Sequence, residues 1–247
     1  MPQWPIHPIE PDVDIRITRA MSPLPPALDR EIDRIWAEAQ IRMNGALFNG
    51  RVFSADVITP RLICGHWTEF RRIVAQMHRA DLVHLIGARP LSVGGVIHGP
   101  DGVIFGRRPQ GAIYQAGEWQ LPPAGSVDPG ALREDGRIDI VAQLLTELHE
   151  ELGMAPDTVH APQPLCIVEH GESHVLDLGI GLATSLSAAE ILAAHAQGGN
   201  TEYDPIRIVP LADLADFLAR SAPLLNHQAP VFLRQLGLIG AGRARPG

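Results

Sequence analysis

Apolar and polar positions alternate along this chain at two periods, and the periods predict its elements. Val13, Ile15 and Ile17 alternate with Asp14, Arg16 and Thr18, the period-2 pattern of a half-buried strand. After Pro25 and Pro26, apolar residues recur at Leu28, Ile32, Ile35, Trp36, Ala39 and Met43. That spacing puts them on one helical face, and Asn44-Gly45 supplies the stop. Asn49-Gly50 marks a turn, with strands predicted over 51–58 and 61–66. A second helix is expected from near Thr68, with Phe70, Ile73, Val74 and Met77 on its inner face.

The texture changes at Leu91. LSVGGVIHGPDGVIFGRRP carries an apolar run, a Gly-Pro-Asp-Gly turn, a second short apolar run and a basic pair, which predicts a hairpin. A Gly/Pro-rich loop follows through Trp119, Leu121, Pro122, Pro123 and Gly125. One strong helix is predicted over 139–152, halted by Gly153, then strands over 165–169 and 174–183. An Ala-rich helix over 188–196, a strand over 205–209 and a helix over 211–220 complete the pattern. Strands and helices interleave without a regular βαβ repeat, so the expected fold is α/β, with a mixed sheet and helices on both faces. No repeat recurs at solenoid spacing. Residues 1–90 read as an N-terminal α+β extension for packing or dimerisation, and 91–247 as a second domain.

Composition narrows the partners. The chain has 247 residues, 45% of them apolar, with 28 acidic and 20 basic residues and a net charge of −8. These values exclude a disordered chain. The charge argues against nucleic acid and anionic membranes as partners. No stretch approaches the roughly 20 apolar residues of a membrane helix. The start, MPQWPIHPIEPD, lacks a basic segment followed by an apolar core, so no signal peptide is expected. Cys64 and Cys166 are too few for a disulfide scaffold, which points to a reducing, cytoplasmic location. Gly (24) and Pro (22) are abundant enough to predict many loops.

The densest chemistry lies in TELHEELGM, residues 146–154. Glu147, Glu150 and Glu151 stand at i, i+3 and i+4 of the predicted helix, which converges their carboxylates. Val141, Leu144, Leu145, Leu148 and Leu152 form the adjoining apolar stripe. No Lys or Arg falls between Gln143 and Met154 to offset the charge. A triple-Glu helix is usually a solvated face, but uncompensated carboxylates also suit a hard divalent cation.

In this context the segment resembles the Nudix hydrolases, whose box reads G-x5-E-x7-R-E-U-x-E-E-x-G-U with U aliphatic. Glu147, Leu148, Glu150, Glu151, Gly153 and Met154 match its second half, and Gly125 in WQLPPAGSVDPG matches its opening. VIFGRRP, with Arg107 and Arg108, lies where the family places a basic strand end. The resemblance spans about residues 91–218. It departs at two points. Gly125 and Thr146 are 21 positions apart where the box has 14, so seven extra residues fall within 131–139. Thr146 replaces the box Arg, and Ile138 stands where its first Glu belongs, with Glu134 and Asp135 as candidate substitutes.

The resemblance implies a Nudix α/β/α sandwich and Mg2+-dependent hydrolysis, with Mn2+ an alternative ion, of a nucleoside diphosphate linked to another group. It assigns metal binding to Glu147, Glu150, Glu151 and the Ala124 carbonyl. Substrate contact would fall to Arg107, Arg108 and Gly125. A metal neutralises diphosphate charge and lowers the pKa of bound water, and Arg can clamp phosphates with paired donors. Arg107 and Arg108 have a plainer reading as a solvated turn pair. Glu202 in GGNTEYDPIRIVP matches the later-loop general base of many members, although one of the helix glutamates can fill that role. A plain surface glutamate is its other reading.

The N-terminal region, TELHEELG and NTEYD…IVPLADLADFL resemble a nucleotide-sugar-hydrolysing branch, with UDP-glucose as the expected type of substrate. ADP-ribose, NADH and CoA are the alternatives. A different class is a Nudix-fold nucleotide sensor without turnover, which the altered first half of the box favours and the three glutamates oppose. An allylic diphosphate isomerase would need an active-site Cys, and neither cysteine lies in the expected loop. No basic helix-turn-helix pattern follows, which disfavours DNA binding. His170 and His174 around Glu172 have the spacing of a helical zinc pair, but a turn there would separate the rings. Cys166 reads as a buried strand residue, and Trp119 and Tyr114 as packing. The long N-terminal region is compatible with a homodimer.

Overall fold

The computed structural model describes residues 4–112 and 114–240. In chain order its strands are β1 (Ile6–Pro8), β2 (Asp14–Ile17), β3 (Arg51–Ile58), β4 (Leu62–Glu69), β5 (Leu91–Gly99), β6 (Gly102–Arg107), β7 (Trp119–Gln120), β8 (Ala124–Ser126), β9 (Val159–Glu169), β10 (Leu176–Thr184) and β11 (Ile206–Val209). Its helices are α1 (Pro26–Arg42), α2 (Phe70–His78), α3 (Val83–Ile86), α4 (Ile140–Leu152), α5 (Ala188–Gly198), α6 (Leu214–Ser221) and α7 (Ala229–Gln235). The fold is mixed α/β. A large sheet pairs its strands in the order β1-β9-β10-β5-β6-β11, with β7 on β6 and β8 on β5. A second sheet has the order β2-β4-β3, with β2 parallel and β3 antiparallel to β4. Among the described residues no helix is long and apolar enough to cross a membrane.

Contacts group the chain into two compact units, neither contiguous in sequence. One comprises Met1–Val93, Gly125–Gln143 and Ile167–Leu178; the other comprises Gly94–Ala124, Leu144–Cys166 and Gly179–Gly247.

In the first unit, α1 buries Ile32, Ile35 and Ala39, the face that its spacing predicts, and Asn44 and Gly45 end it at positive φ. Ile32 and Ile35 pack with Ala75 and Leu82. α2 begins at Phe70 because β4 runs on to Glu69. It buries Ile73 and Val74 as expected, and Arg72 and Gln76 besides. Gln76 is satisfied: its amide donates to the carbonyls of Ala88 (2.8 Å) and Ser173 (3.0 Å) and accepts from the Ala88 N–H (3.1 Å).

The extra residues before α4 have a structural role in this unit. Leu132 bridges Ile138, and the Arg133 N–H donates to the Arg137 carbonyl at 2.8 Å, which makes a small hairpin. Arg137 bridges Arg16, and the Ile138 N–H donates to the Ile15 carbonyl at 2.8 Å. The insertion therefore extends the three-stranded sheet at β2 and covers an edge that would otherwise be open. Ile138, 5% exposed, is a core side chain, while Glu134 and Asp135 are exposed on the hairpin.

EHGESH is a turn between β9 and β10. His170 Nδ1 accepts from the Glu172 and Ser173 N–H groups, and His174 stands at positive φ. His174, Arg89 and His7 all reach the Glu169 carboxylate, at 2.9, 2.8 and 2.8 Å. Burial alone would raise this carboxyl, but hydrogen bonds from Arg89, His174 and His7 outweigh it and hold it down at about 2. A carboxyl lowered from 4.5 to about 2 on folding stabilises the protein above pH 4.5 by about 3 kcal/mol. That contribution is lost as pH falls from 4.5 through 2. Glu169→Gln should therefore lower the melting temperature at pH 7 and shrink the gap to wild type towards pH 2, measured by thermal melts across that range.

In the second unit, β5 and β6 meet in the expected hairpin, Gly99 opposite Gly102. Phe105 and Trp119 pack on Phe217 with ring centroids 4.7 and 5.5 Å apart, so Trp119 serves packing. Cys166 is buried, and burial pushes its thiol up to about 11. The capping box of Ser187 and Glu190 starts α5. Sequence patterning does not reveal α7. Its seven residues span barely two turns and include Pro230, yet Phe232 is buried against Gly179, where an added Cβ would come within 2.6 Å of the ring.

Candidate active site

The site is built in the second unit on α4. Leu144, Leu148 and Leu152 recur every four residues and are fully buried. Glu151 falls seven positions after Leu144 and shares that stripe, which is why this carboxylate is only 1% exposed. At about 100° per residue, Glu147 lies about 40° from Glu151 around the axis and Glu150 about 100° from it. Glu147 is accordingly half-buried and Glu150 exposed. The three glutamates thus stand in three environments. Gly153 ends the helix at φ +64°, where a Cβ would lie 2.4 Å from the Ala194 carbonyl of α5.

Glu151 is held from one side. The Ala124 N–H, at the start of β8, donates to its Oε2 at 2.9 Å. Its Oε1 is buried without a hydrogen-bond partner. Burial pushes this carboxyl well above the usual carboxylate range, and the charge of Glu202 adds to the effect. The Ala124 N–H opposes the rise, Glu147 reinforces it, and Arg108 opposes it. The Ala124 loop is placed by Gly95, whose N–H donates to the Pro123 carbonyl at 2.7 Å. A Cβ at Gly95 would come within 2.7 Å of Pro123 Cδ, so only glycine admits this approach. Gly125, the next residue of β8, is partly buried.

The basic strand end divides its labour. Arg107 donates from Nε to the Gly117 carbonyl at 3.0 Å and braces the loop after β6. Arg108 forms an ion pair with Glu202 and lies with its guanidinium 5.9 Å from the centre of the Tyr203 ring. The Arg107 backbone also fixes the Glu202 loop, accepting from the Asp204 N–H (2.9 Å) and donating to the Pro205 carbonyl (3.1 Å). Tyr203 is fully buried and donates to Gln120 at 3.1 Å. Its ring packs on Gly106, where a Cβ would come within 2.6 Å. Sequence reading does not find Tyr203, Gly95 or Gly106, whose only sequence signal is a glycine or an aromatic beside a named candidate.

Glu151, Glu202 and Arg108 therefore act on one another electrostatically, with Glu147 within reach of Glu151. Among the described residues, no group of three His, Cys, Asp or Glu side chains is gathered tightly enough to hold a metal ion. The fit to a divalent cation lies in the orphaned Glu151 Oε1 and in the negative charge of Glu147 and Glu202 around it.

No protein-family model matches the sequence, and no curated protein does. Among solved structures, the chain is similar to a NUDIX hydrolase from Nitrosomonas europaea at 15% identity, over 60% of this chain and 86% of that one, with a TM-score of 0.38. It is similar to a MutT NUDIX hydrolase from Burkholderia pseudomallei at 19% identity, over 60% and 97%, with a TM-score of 0.40. An ADP-ribose pyrophosphatase from Streptococcus suis aligns at 17% identity over 51% and 77%, with a TM-score of 0.32.

Proposed function

We propose that this chain is a Nudix pyrophosphohydrolase that cleaves the diphosphate linkage of a nucleoside diphosphate joined to another group, with Mg2+ as cofactor. The observation that carries this reading is Glu151: buried, clamped by the Ala124 N–H, with its second oxygen unpartnered beside two further carboxylates. Burying a charge this way weakens a fold unless a ligand repays it. Glu151 and Glu147 would hold the ion, with Glu150 at the exposed rim and the Ala124 carbonyl as a further oxygen. Mg2+, when bound, neutralises diphosphate charge and lowers the pKa of a bound water. Arg108 orients the phosphates, and a phosphate drawn to it competes with Glu202. Release from that ion pair frees Glu202 to take a proton from the attacking water. Gly125 leaves room beside the phosphates, and Arg107 braces the loop.

The substrate we favour is a nucleotide sugar such as UDP-glucose, split to a nucleoside monophosphate and a sugar phosphate. Purified protein with Mg2+ is to be screened against UDP-glucose, ADP-ribose, NADH and CoA. Turnover of UDP-glucose above the others is the expected result, and turnover of only a non-sugar compound sinks this choice. A second reading, a nucleotide sensor with little turnover, is favoured by Thr146 and Ile138, which stand where the box has its Arg and first Glu. Binding without turnover of any of the four compounds would establish it. The residues 91–247 are proposed as the catalytic part of the chain, at work in the cytoplasm on a small nucleotide.

Gly95→Val should lower turnover about a hundredfold, the effect of an approximately 1 Å misplacement. The added side chain meets Pro123 and moves the Ala124 N–H off Glu151. Steady-state kinetics with a circular dichroism control checks this; full activity in the variant would show that the clamp is dispensable.

A further inference from the structure

We propose that the first unit carries a second ligand site, on its three-stranded sheet, for a planar aromatic ring bearing one anionic group. A cavity of about 520 Å³ opens there, within the size range of small-molecule sites. Arg51 and Phe53 of β3 and Trp67 and Glu69 of β4 fall on one face of the sheet, with Phe53 opposite Trp67 and Arg51 opposite Glu69. Phe53 is fully buried and meets Trp67 edge to face, centroids 6.1 Å apart at 86°, which fixes the indole. Trp67 remains partly exposed, and Ile17 and Met21 line the same cavity. An indole plane with a polarisable sulfur nearby suits a flat aromatic ring.

Hydrogen-bond capacity selects the second half of the ligand. Arg19 has no donor to spare: Nε and Nη2 meet Asp56 at 2.9 and 2.7 Å, Nη1 meets the Ala20 carbonyl and Ser22 Oγ, and Nη2 also reaches His66. Glu69 is committed to Arg71 at 2.9 Å and faces Arg72 at 3.6 Å. Arg51 is exposed, and no described carboxylate pairs with it. Of the two arginines lining the cavity, Arg51 is therefore the one with donors to offer, a planar fork matched to a carboxylate or phosphate. The site asks for a ring on Trp67 and an anion on Arg51.

AMP, which has both parts, is the probe, titrated calorimetrically into the full chain without metal. Adenosine and ribose 5-phosphate test each part alone. AMP should bind the wild type, with affinity at least about tenfold weaker in R51A and in W67L, a loss of about 1.4 kcal/mol each. The Arg51- and Trp67-dependent binding should persist in R108A, which alters the other unit. Adenosine and ribose 5-phosphate should each bind more weakly than AMP. The proposal is overturned if wild type does not bind AMP at millimolar concentration, if R51A binds like wild type, or if the loss follows R108A. It is also overturned if R51A changes turnover of the diphosphate substrate, since the cavity would then belong to that site. W67L is checked by thermal melting because Trp67 braces Phe53; R51A, at an exposed position, decides the outcome even where W67L fails to fold.

Discussion

Glu151→Gln should lower turnover of the diphosphate substrate by at least about a hundredfold, the scale at which a directly engaged charged group acts. The same substitution should raise the melting temperature at pH 7. Glutamine keeps the shape of the side chain and can accept from the Ala124 N–H, so packing on α4 is preserved. What disappears is a buried charge. Its carboxyl binds protons more tightly folded than unfolded, so the folded state is favoured below the ordinary glutamate value of about 4.5. Stability is then lost as pH rises above 4.5, until the folded carboxyl has itself ionised. The variant should not show that loss, so its melting curve against pH should be flatter through the weakly acidic range. Lower activity with higher stability is the signature of a residue held against its own folding preference for a ligand. A variant both inactive and less stable would place Glu151 among structural residues.

Much of this architecture can be read from the chain, and what escapes reading is non-local. α1, α4 and α5 each have at least eleven residues, enough turns for the apolar spacing to stand out. The β5–β6 hairpin announces itself through its turn. The glutamates of α4 are visible by spacing, but their different burial depends on which stripe the core takes up. The seven extra residues before α4 can be counted against the family's box, yet their pairing with Ile15 and Arg16 joins segments far apart in sequence. Gly95 and Gly106 look like ordinary strand glycines until Pro123 and Tyr203 are seen against them. The same limit hid the compact units, because 125–143 and 167–178 group with the N-terminal residues.

Arg108→Ala should raise KM for the diphosphate substrate by about ten- to a hundredfold, the worth of one charge-assisted hydrogen bond to an anion. Its effect on pH dependence is the sharper test. Arg108 opposes the upward push on the Glu151 carboxyl, whereas Glu202 reinforces it. Removing Arg108 should raise Glu151 further and move the acidic limb of the rate profile to higher pH. Glu202→Gln removes a negative charge and should move that limb to lower pH while lowering kcat as the proposed base is lost. The two members of one ion pair should thus shift the profile in opposite directions. A structural pair that merely holds the loop would shift neither limb, or both alike through the same loosening. Arg108→Lys separates charge from geometry: a lysine keeps the offset to Glu151, so the pH limb should stay near wild type, but it lacks the planar fork, so KM should still rise. Rate profiles of the three variants, set beside melting curves of the metal-free protein over the same pH range, decide whether the charge balance around Glu151 governs the chemistry of this site.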